Sequence, residues 1–230
     1  FTADIEFNVV DNADAIAIEV AASGTGAGSL DEANNVAVVS GDVTASEADA
    51  IQDIAKYSGA ASDYDITDNA AALISAGDDV LNVAGVDIVT ASDTSVNANI
   101  GGDLAGFTAD IEFNVVDNAD AIAIEVAASG TGAGSLDEAN NVAVVSGDVT
   151  ASEADAIQDI AKYSGAASDY DITDNAAALI SAGDDVLNVA GVDIVTASDT
   201  SVNANIGGDL AGFTADIEFN VVDNADAIAI

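Results

Sequence analysis

Apolar and polar residues alternate along several short stretches of this chain, and the alternation predicts β-strands. The clearest case is residues 4–9, where Ile5, Phe7 and Val9 are separated by acidic or amide side chains. This period of two is typical of a strand with one solvent-exposed face. Three further runs rich in β-branched residues follow. The predicted strands are residues 5–10, 36–39, 64–67 and 86–90.

Helical signals follow the predicted strands. Thr44 and Glu47 have the spacing of a capping box, and apolar positions at 48, 51 and 54 continue a helical stripe toward Gly59, which predicts the end of that helix. Asp68 or Asn69 is predicted to begin a second helix that ends at Gly77.

Two further segments give weaker helical signals. Asp11 opens a segment that corresponds to the second helix, and this segment is predicted to end by Gly24. Residues 94–106 contain Gly101 and Gly102, which predict at most a short or broken helix there.

The whole pattern recurs without a changed residue. Residues 1–106 are repeated by residues 107–212, and residues 213–230 begin a third copy. Within one copy, "FNVVDNADAI" from Phe7 resembles "YDITDNAAAL" from Tyr64, so each copy is interpreted as four strand–helix segments. The chain begins without Met and ends partway through the third copy, so we interpret it as part of a longer array.

Segments of this size must bury their apolar faces on their neighbours. Strands joined by short helices are expected to be parallel. The sequence therefore predicts an α/β repeat protein, a solenoid-like array of short parallel strands and short helices. The alternative is a chain of small α/β domains joined end to end.

Composition restricts the possible functions. The chain has 42 acidic residues and two basic ones, Lys56 and Lys162, which gives a formal net charge of −40. It contains no His or Cys, so a Ser–His–Asp triad, a thiol nucleophile and the usual zinc sites are excluded, and no enzyme is predicted. Nucleic acids and anionic membrane surfaces would be repelled. No uncharged apolar run approaches the roughly 18 residues of a membrane span, so no membrane insertion is expected.

Carboxylates are the remaining candidate ligands. Asp63, Asp65 and Asp68 lie within six residues, and clustered hard oxygen ligands suit calcium. Asp11 and Asp14, at the related turn, belong to the same hypothesis. The repeat equivalents are Asp169, Asp171, Asp174, Asp117 and Asp120. The spacing is not that of an EF-hand, and Asp68 as a helix cap with Asp65 on a wet strand face is the competing interpretation.

The glycine-rich run "SGTGAGS" at residues 23–29 gives no cofactor site. Its spacing is G-x-G-x-G, not the G-x-G-x-x-G of dinucleotide sites, and no basic residue accompanies it. We interpret it as a flexible loop. Calcium is therefore the one cofactor left as a candidate.

The "ITDNAAAL" turn into a helix and the "VTASEA" opening of another resemble tandem repeats in very large bacterial surface and secreted proteins. The resemblance implies an extracellular or cell-surface location and a structural or adhesive role. It identifies no binding residues.

Identical copies can form identical junctions, which a fibre needs and an enzyme does not. The predicted function is therefore a structural component of an extracellular or cell-surface filament, whose partners are other copies of itself and cations. The alternative is the stalk of a large calcium-dependent adhesin. Recent duplication without selection for identity, or a consensus-designed array, would also account for unchanged copies. The charge density predicts that stability rises with salt, with calcium and in mild acid.

Overall fold

The computed structural model describes residues 6–22, 28–128 and 134–224. This part of the chain has an α/β fold with short parallel strands and short helices. The strands are β1 (Asn8–Asp11), β2 (Asn35–Val38), β3 (Asp42–Val43), β4 (Tyr64–Asp68), β5 (Val86–Ala91), β6 (Ile111–Glu112), β7 (Asn114–Asp117), β8 (Asn141–Val144), β9 (Asp148–Val149), β10 (Tyr170–Asp174), β11 (Val192–Ala197) and β12 (Ile217–Glu218).

Helices occupy most of the connections between strands. The α-helices are α1 (Ala13–Ala22), α2 (Ala45–Gln52), α3 (Ala70–Ala76), α4 (Asp78–Leu81), α5 (Ala98–Ala105), α6 (Ala119–Ala128), α7 (Ala151–Gln158), α8 (Ala176–Ala182), α9 (Asp184–Leu187) and α10 (Ala204–Leu210). Short 3-10 helices lie at Gly28–Glu32, Gly59–Ala61, Gly134–Glu138 and Gly165–Ala167.

Every paired strand is parallel to the strand beside it. The orders are β1-β2, β3-β4-β5-β6, β7-β8 and β9-β10-β11-β12. The strands therefore form four ladders and not the one uninterrupted sheet that the simplest solenoid would have. Gly41 lies between β2 and β3, where the ladder is interrupted. Its φ angle is 115°, which residues with a side chain rarely adopt.

Two compact units divide the chain. One contains residues 1–94 and 103–113, and the other contains residues 95–102 and 114–230. Each unit therefore combines residues from adjacent sequence copies, because the copies end at residues 106 and 212. The division of the fold does not follow the division of the sequence.

The core of the first unit is an apolar row across its four-stranded ladder. Val43 pairs with Ile66, Ile66 with Val89, and Val89 with Ile111. All four are buried, with Ile66 at 0% exposure. Beside them, Tyr64 is buried and its hydroxyl accepts a hydrogen bond from the side chain of Gln52 at 2.9 Å. The same row recurs in the second unit as Val149, Ile172, Val195 and Ile217.

Most of the predicted elements are confirmed. Predicted strands 64–67 and 86–90 are β4 and β5, and 36–39 is β2 displaced by one residue. The capping box of Thr44 and Glu47 is present at the start of α2. Asn69 caps α3 by accepting from the Ala72 N–H, and Gly77, with φ of 70°, ends it.

One helix prediction is wrong. The helix from Thr44 ends at Gln52 and not near Gly59. Tyr57 forms a parallel bridge with Val36, and the backbone at Tyr57 cannot make this bridge and remain helical. The prediction of at most a short or broken helix within residues 94–106 is confirmed by α5, which has eight residues and continues through Gly101 and Gly102. A β-carbon at Gly102 would meet the carboxylate of Glu125, which is the end of a flexible side chain and would have to move aside.

The predicted strand 5–10 and the helix after it are only partly described. The first copy shows β1 at Asn8–Asp11, and the second copy shows β6 and β7 over the equivalent positions. The helix that was expected to end by Gly24 is described as far as Ala22. Gly24 and most of the glycine-rich run, residues 23–27, lie outside the described residues.

Candidate functional site: aspartates between neighbouring segments

Aspartates at or just beyond the ends of strands bond to the helix of the preceding strand–helix segment. In each case one carboxylate oxygen accepts a hydrogen bond from the N–H of the first residue of that helix. The pairs are Asp68 with Ala45 at 3.2 Å, Asp93 with Ala70 at 2.7 Å, and Asp117 with Ala98 at 3.0 Å. Their equivalents are Asp174 with Ala151 at 3.2 Å, Asp199 with Ala176 at 2.6 Å, and Asp223 with Ala204 at 3.0 Å.

This arrangement satisfies donors that a helix cannot satisfy itself. The first N–H groups of an α-helix have no partner within the helix, and negative charge is favourable at that end. In helix α3 the two caps bond to different N–H groups. Asn69 accepts a hydrogen bond from the N–H of the third residue, Ala72, and Asp93 accepts one from the N–H of the first residue, Ala70. Each such helix is thus held by its own cap and by an aspartate of the next segment.

Another aspartate bonds across the boundary between sequence copies. Asp78, the first residue of α4, accepts from the Thr108 N–H at 2.9 and 3.1 Å and from the Ala109 N–H at 3.1 Å. Asp184 makes the equivalent three contacts with Thr214 and Ala215, at 2.9, 3.1 and 3.1 Å. Residues 108 and 214 are the second residues of the second and third copies.

These bonds change how the carboxyl groups titrate. The backbone N–H of Thr108 is the main cause that lowers the pKa of Asp78 below its ordinary value of 3.8, and Thr214 does the same for Asp184. The Ala204 N–H likewise lowers the pKa of Asp223. A lowered pKa in the folded state gives stability that is present above pH 3.8 and is lost as the pH falls through the folded value. At these three residues hydrogen bonding lowers the carboxyl pKa, the opposite of the rise that repulsion between crowded charges would cause. Stabilisation of the fold by mild acid stays a prediction.

The five residues suggested as metal ligands have separate environments. Asp63 and Asp14 are exposed, and Asp65 accepts from the Ile88 N–H at 3.2 Å beside an irregularity in the pairing of β4 with β5. Asp68 is the cap described above, and Asp11 accepts from Asn12. Within the described ranges, no group of three or more acidic side chains could hold a metal ion. Calcium binding stays a prediction.

An open groove lies beside α2 in the first unit. Its volume is about 340 Å³, and an equivalent groove of about 350 Å³ occurs in the second unit. The lining is mostly alanine and serine, with the carboxylates of Asp49 and Asp68. Since Asp68 already accepts hydrogen bonds from Ala45 and Asn69, the groove is part of the capping arrangement.

Sequence reasoning singled out Asp68 and the repeat equivalents Asp117 and Asp174 but not their role, and it missed Asp93, Asp199 and Asp223. Asp68 was expected to cap its own helix or to bind a metal, whereas it caps a helix that begins 23 residues earlier. The sequence does contain a signal for this role. An alanine opens a helix, and an aspartate follows at the end of a strand about one segment later. That signal becomes visible only when the strand register is known.

The backbone pairing around Lys56 predicts that the folded protein resists cleavage by trypsin. The Lys56 carbonyl accepts from the Val36 N–H, and the next residue but one, Ser58, donates to the Val36 carbonyl. The Lys56–Tyr57 bond therefore lies within a paired backbone segment and must unpair before it can enter a protease. We expect trypsin to cut the folded protein at least about tenfold more slowly than the protein in urea. Complete digestion should release residues 57–162, one full repeat of 106 residues. Equal rates in both conditions would show that this pairing gives no protection.

A comparison with family models, curated proteins and solved structures gave no significant match. Among the described residues, no helix is both long enough and apolar enough to cross a bilayer. The function therefore has to be inferred from the residues and contacts of this chain.

Proposed function

We propose that this chain is a structural component of an extracellular or cell-surface filament built from identical tandem repeats. The equivalence of the two described junctions between copies carries the proposal. Strand β5 pairs with β6 through Val89–Ile111 and Thr90–Glu112. One repeat later, β11 pairs with β12 through Val195–Ile217 and Thr196–Glu218.

The junctions also bury apolar side chains. Phe113, near the start of the second copy, is 2% exposed, whereas the equivalent Phe7 of the first copy is 39% exposed. In the third copy, Ala215 and Ile217 are buried, at 9% and 7% exposure. Burial at a junction supports association of successive copies because apolar area is removed from water.

A continuous array is the finer part of the proposal. In this proposal each copy supplies strands at four successive positions along the array, which we call strand levels. Each paired strand lies beside a strand that precedes or follows it in sequence. At a strand spacing of about 4.8 Å, four levels would advance the array by about 19 Å per copy. Identical junctions would then give a filament of constant geometry.

The resemblance to repeats of large bacterial surface and secreted proteins supports the location. The test is electron microscopy of cells that produce the protein, with antibody raised against the repeat. Gold label along thin filaments of uniform width outside the cell would support the proposal. Label confined to the cell interior, or to isolated globules, would contradict it.

A further inference from the structure

We propose that Asp78 and Asp184 are acid-sensitive clamps that hold the beginning of the next sequence copy. Each one bonds to the first residues of the copy that follows, so protonation would loosen the junction between copies. This inference goes beyond the filament proposal, since it requires only that one copy abuts the next.

The geometry of the clamp is the same at both junctions. Three carboxylate-to-backbone contacts join Asp78 to Thr108 and Ala109, and three join Asp184 to Thr214 and Ala215, all between 2.9 and 3.1 Å. The acceptor is a side chain on one copy, and the donors are main-chain groups of the next copy. A change at this one carboxyl group therefore acts on the junction itself.

The negative charge of Asp78 is stabilised by backbone N–H groups and not by cationic side chains. The other charged residues in α4, in α5 and just after Ala109 are Asp79, Asp103 and Asp110, which are all acidic and exposed. Their repulsion opposes ionisation of Asp78. The pKa of Asp78 is nevertheless lowered, because the bonds to Thr108 and Ala109 outweigh the loss of hydration that would raise it.

Protonation weakens the clamp in a defined way. A proton from solvent binds Oδ2, which accepts only from the Thr108 N–H, and the charge of the carboxylate is lost. Oδ1 then accepts from Thr108 and Ala109 as the oxygen of a neutral carboxyl group. Hydrogen bonds to a charged acceptor are stronger than those to a neutral one. The junction is therefore held above pH 3.8 and loosens as the pH falls below it.

The chain offers a closely matched control. Asp79 and Asp185 are the neighbouring residues in the first turn of the same helices, carry the same charge and are exposed. The test pair is Asp78→Asn with Asp184→Asn, and the control pair is Asp79→Asn with Asp185→Asn. Both copies are changed together, so overlapping signals from identical residues do not obscure the result.

The readout is amide hydrogen exchange at Thr108, Ala109 and their equivalents, corrected for the intrinsic dependence of exchange on pH. In the unchanged protein and in the control pair, we expect protection of these amides to fall by roughly threefold to tenfold from pH 6 to pH 3, because the site is partly solvated. In the test pair, protection at pH 6 should already be reduced and should stay constant down to pH 3.

Two outcomes would overturn the proposal. One is protection that does not change with pH in the unchanged protein, and the other is the same pH response in both variant pairs. If the test pair does not fold, Asp78→Asn alone leaves Asp184 in place, and only the Thr108 junction should then lose its response.

Discussion

Replacing Ile66 and its equivalent Ile172 with alanine is expected to lower the free energy of unfolding by about 3 kcal/mol at each site. Both side chains are 0% exposed, and Ile66 lies between Val43 and Val89 in the apolar row. The change removes buried methyl groups and leaves a cavity that neighbouring strands cannot fill. Urea denaturation followed by circular dichroism measures the loss.

Ile88 and Ile194 provide the control for the core substitution. They lie on adjacent strands and are 42% and 41% exposed. Alanine at these positions should cost less than about 1 kcal/mol each, because little buried surface is lost. If the two pairs of substitutions cost the same, the described register of β4 and β5 is incorrect.

A rise in thermal stability with salt is the second large effect. With a formal net charge of −40, the folded chain is opposed by repulsion that acts over about 30 Å at 0.01 M salt and about 3 Å at 1 M. We expect the melting temperature to rise by roughly 10 °C between these limits in sodium chloride, which for a chain of this size corresponds to about 3–5 kcal/mol. Calcium chloride should raise it more steeply at equal ionic strength.

Substitution of exposed carboxylates separates screening from specific binding. Asp14 and Asp63 are exposed, and changing both to asparagine should raise the melting temperature in low salt and flatten its dependence on sodium chloride. A steep calcium response that disappears in this variant would favour a specific ion site at these residues. A melting temperature that is indifferent to sodium and calcium would mean that the charges lie too far apart to interact.

Local sequence signals predicted the elements that depend on nearby residues. The capping box of Thr44 and Glu47 lies within four consecutive residues and needs no information from elsewhere in the chain. The same is true of Asn69 as a cap and Gly77 as a stop. Strands β4 and β5 were predictable because their β-branched runs are short and are bounded by turn residues.

Features that depend on neighbouring strands were not predictable. Helix α2 ends early because Ser58 donates to the Val36 carbonyl, a contact across 22 residues. Strand β3 was not predicted, because it forms only where the chain turns at Gly41 and the Asp65 N–H donates to the Gly41 carbonyl. The role of Asp68 as a cap for α2 likewise requires the register of β3 with β4.

The central claim is that copies join through identical junctions in a continuous array, and the axial repeat of the filament tests it most directly. Fibre diffraction or helical cryo-electron microscopy of an array of many copies would measure the advance per 106 residues. The proposed stacking of four strand levels predicts about 19 Å, together with a strand spacing near 4.8 Å along the axis. An advance of about 35 Å or more, the diameter of an independent domain of this size, would show separate beads and contradict the account.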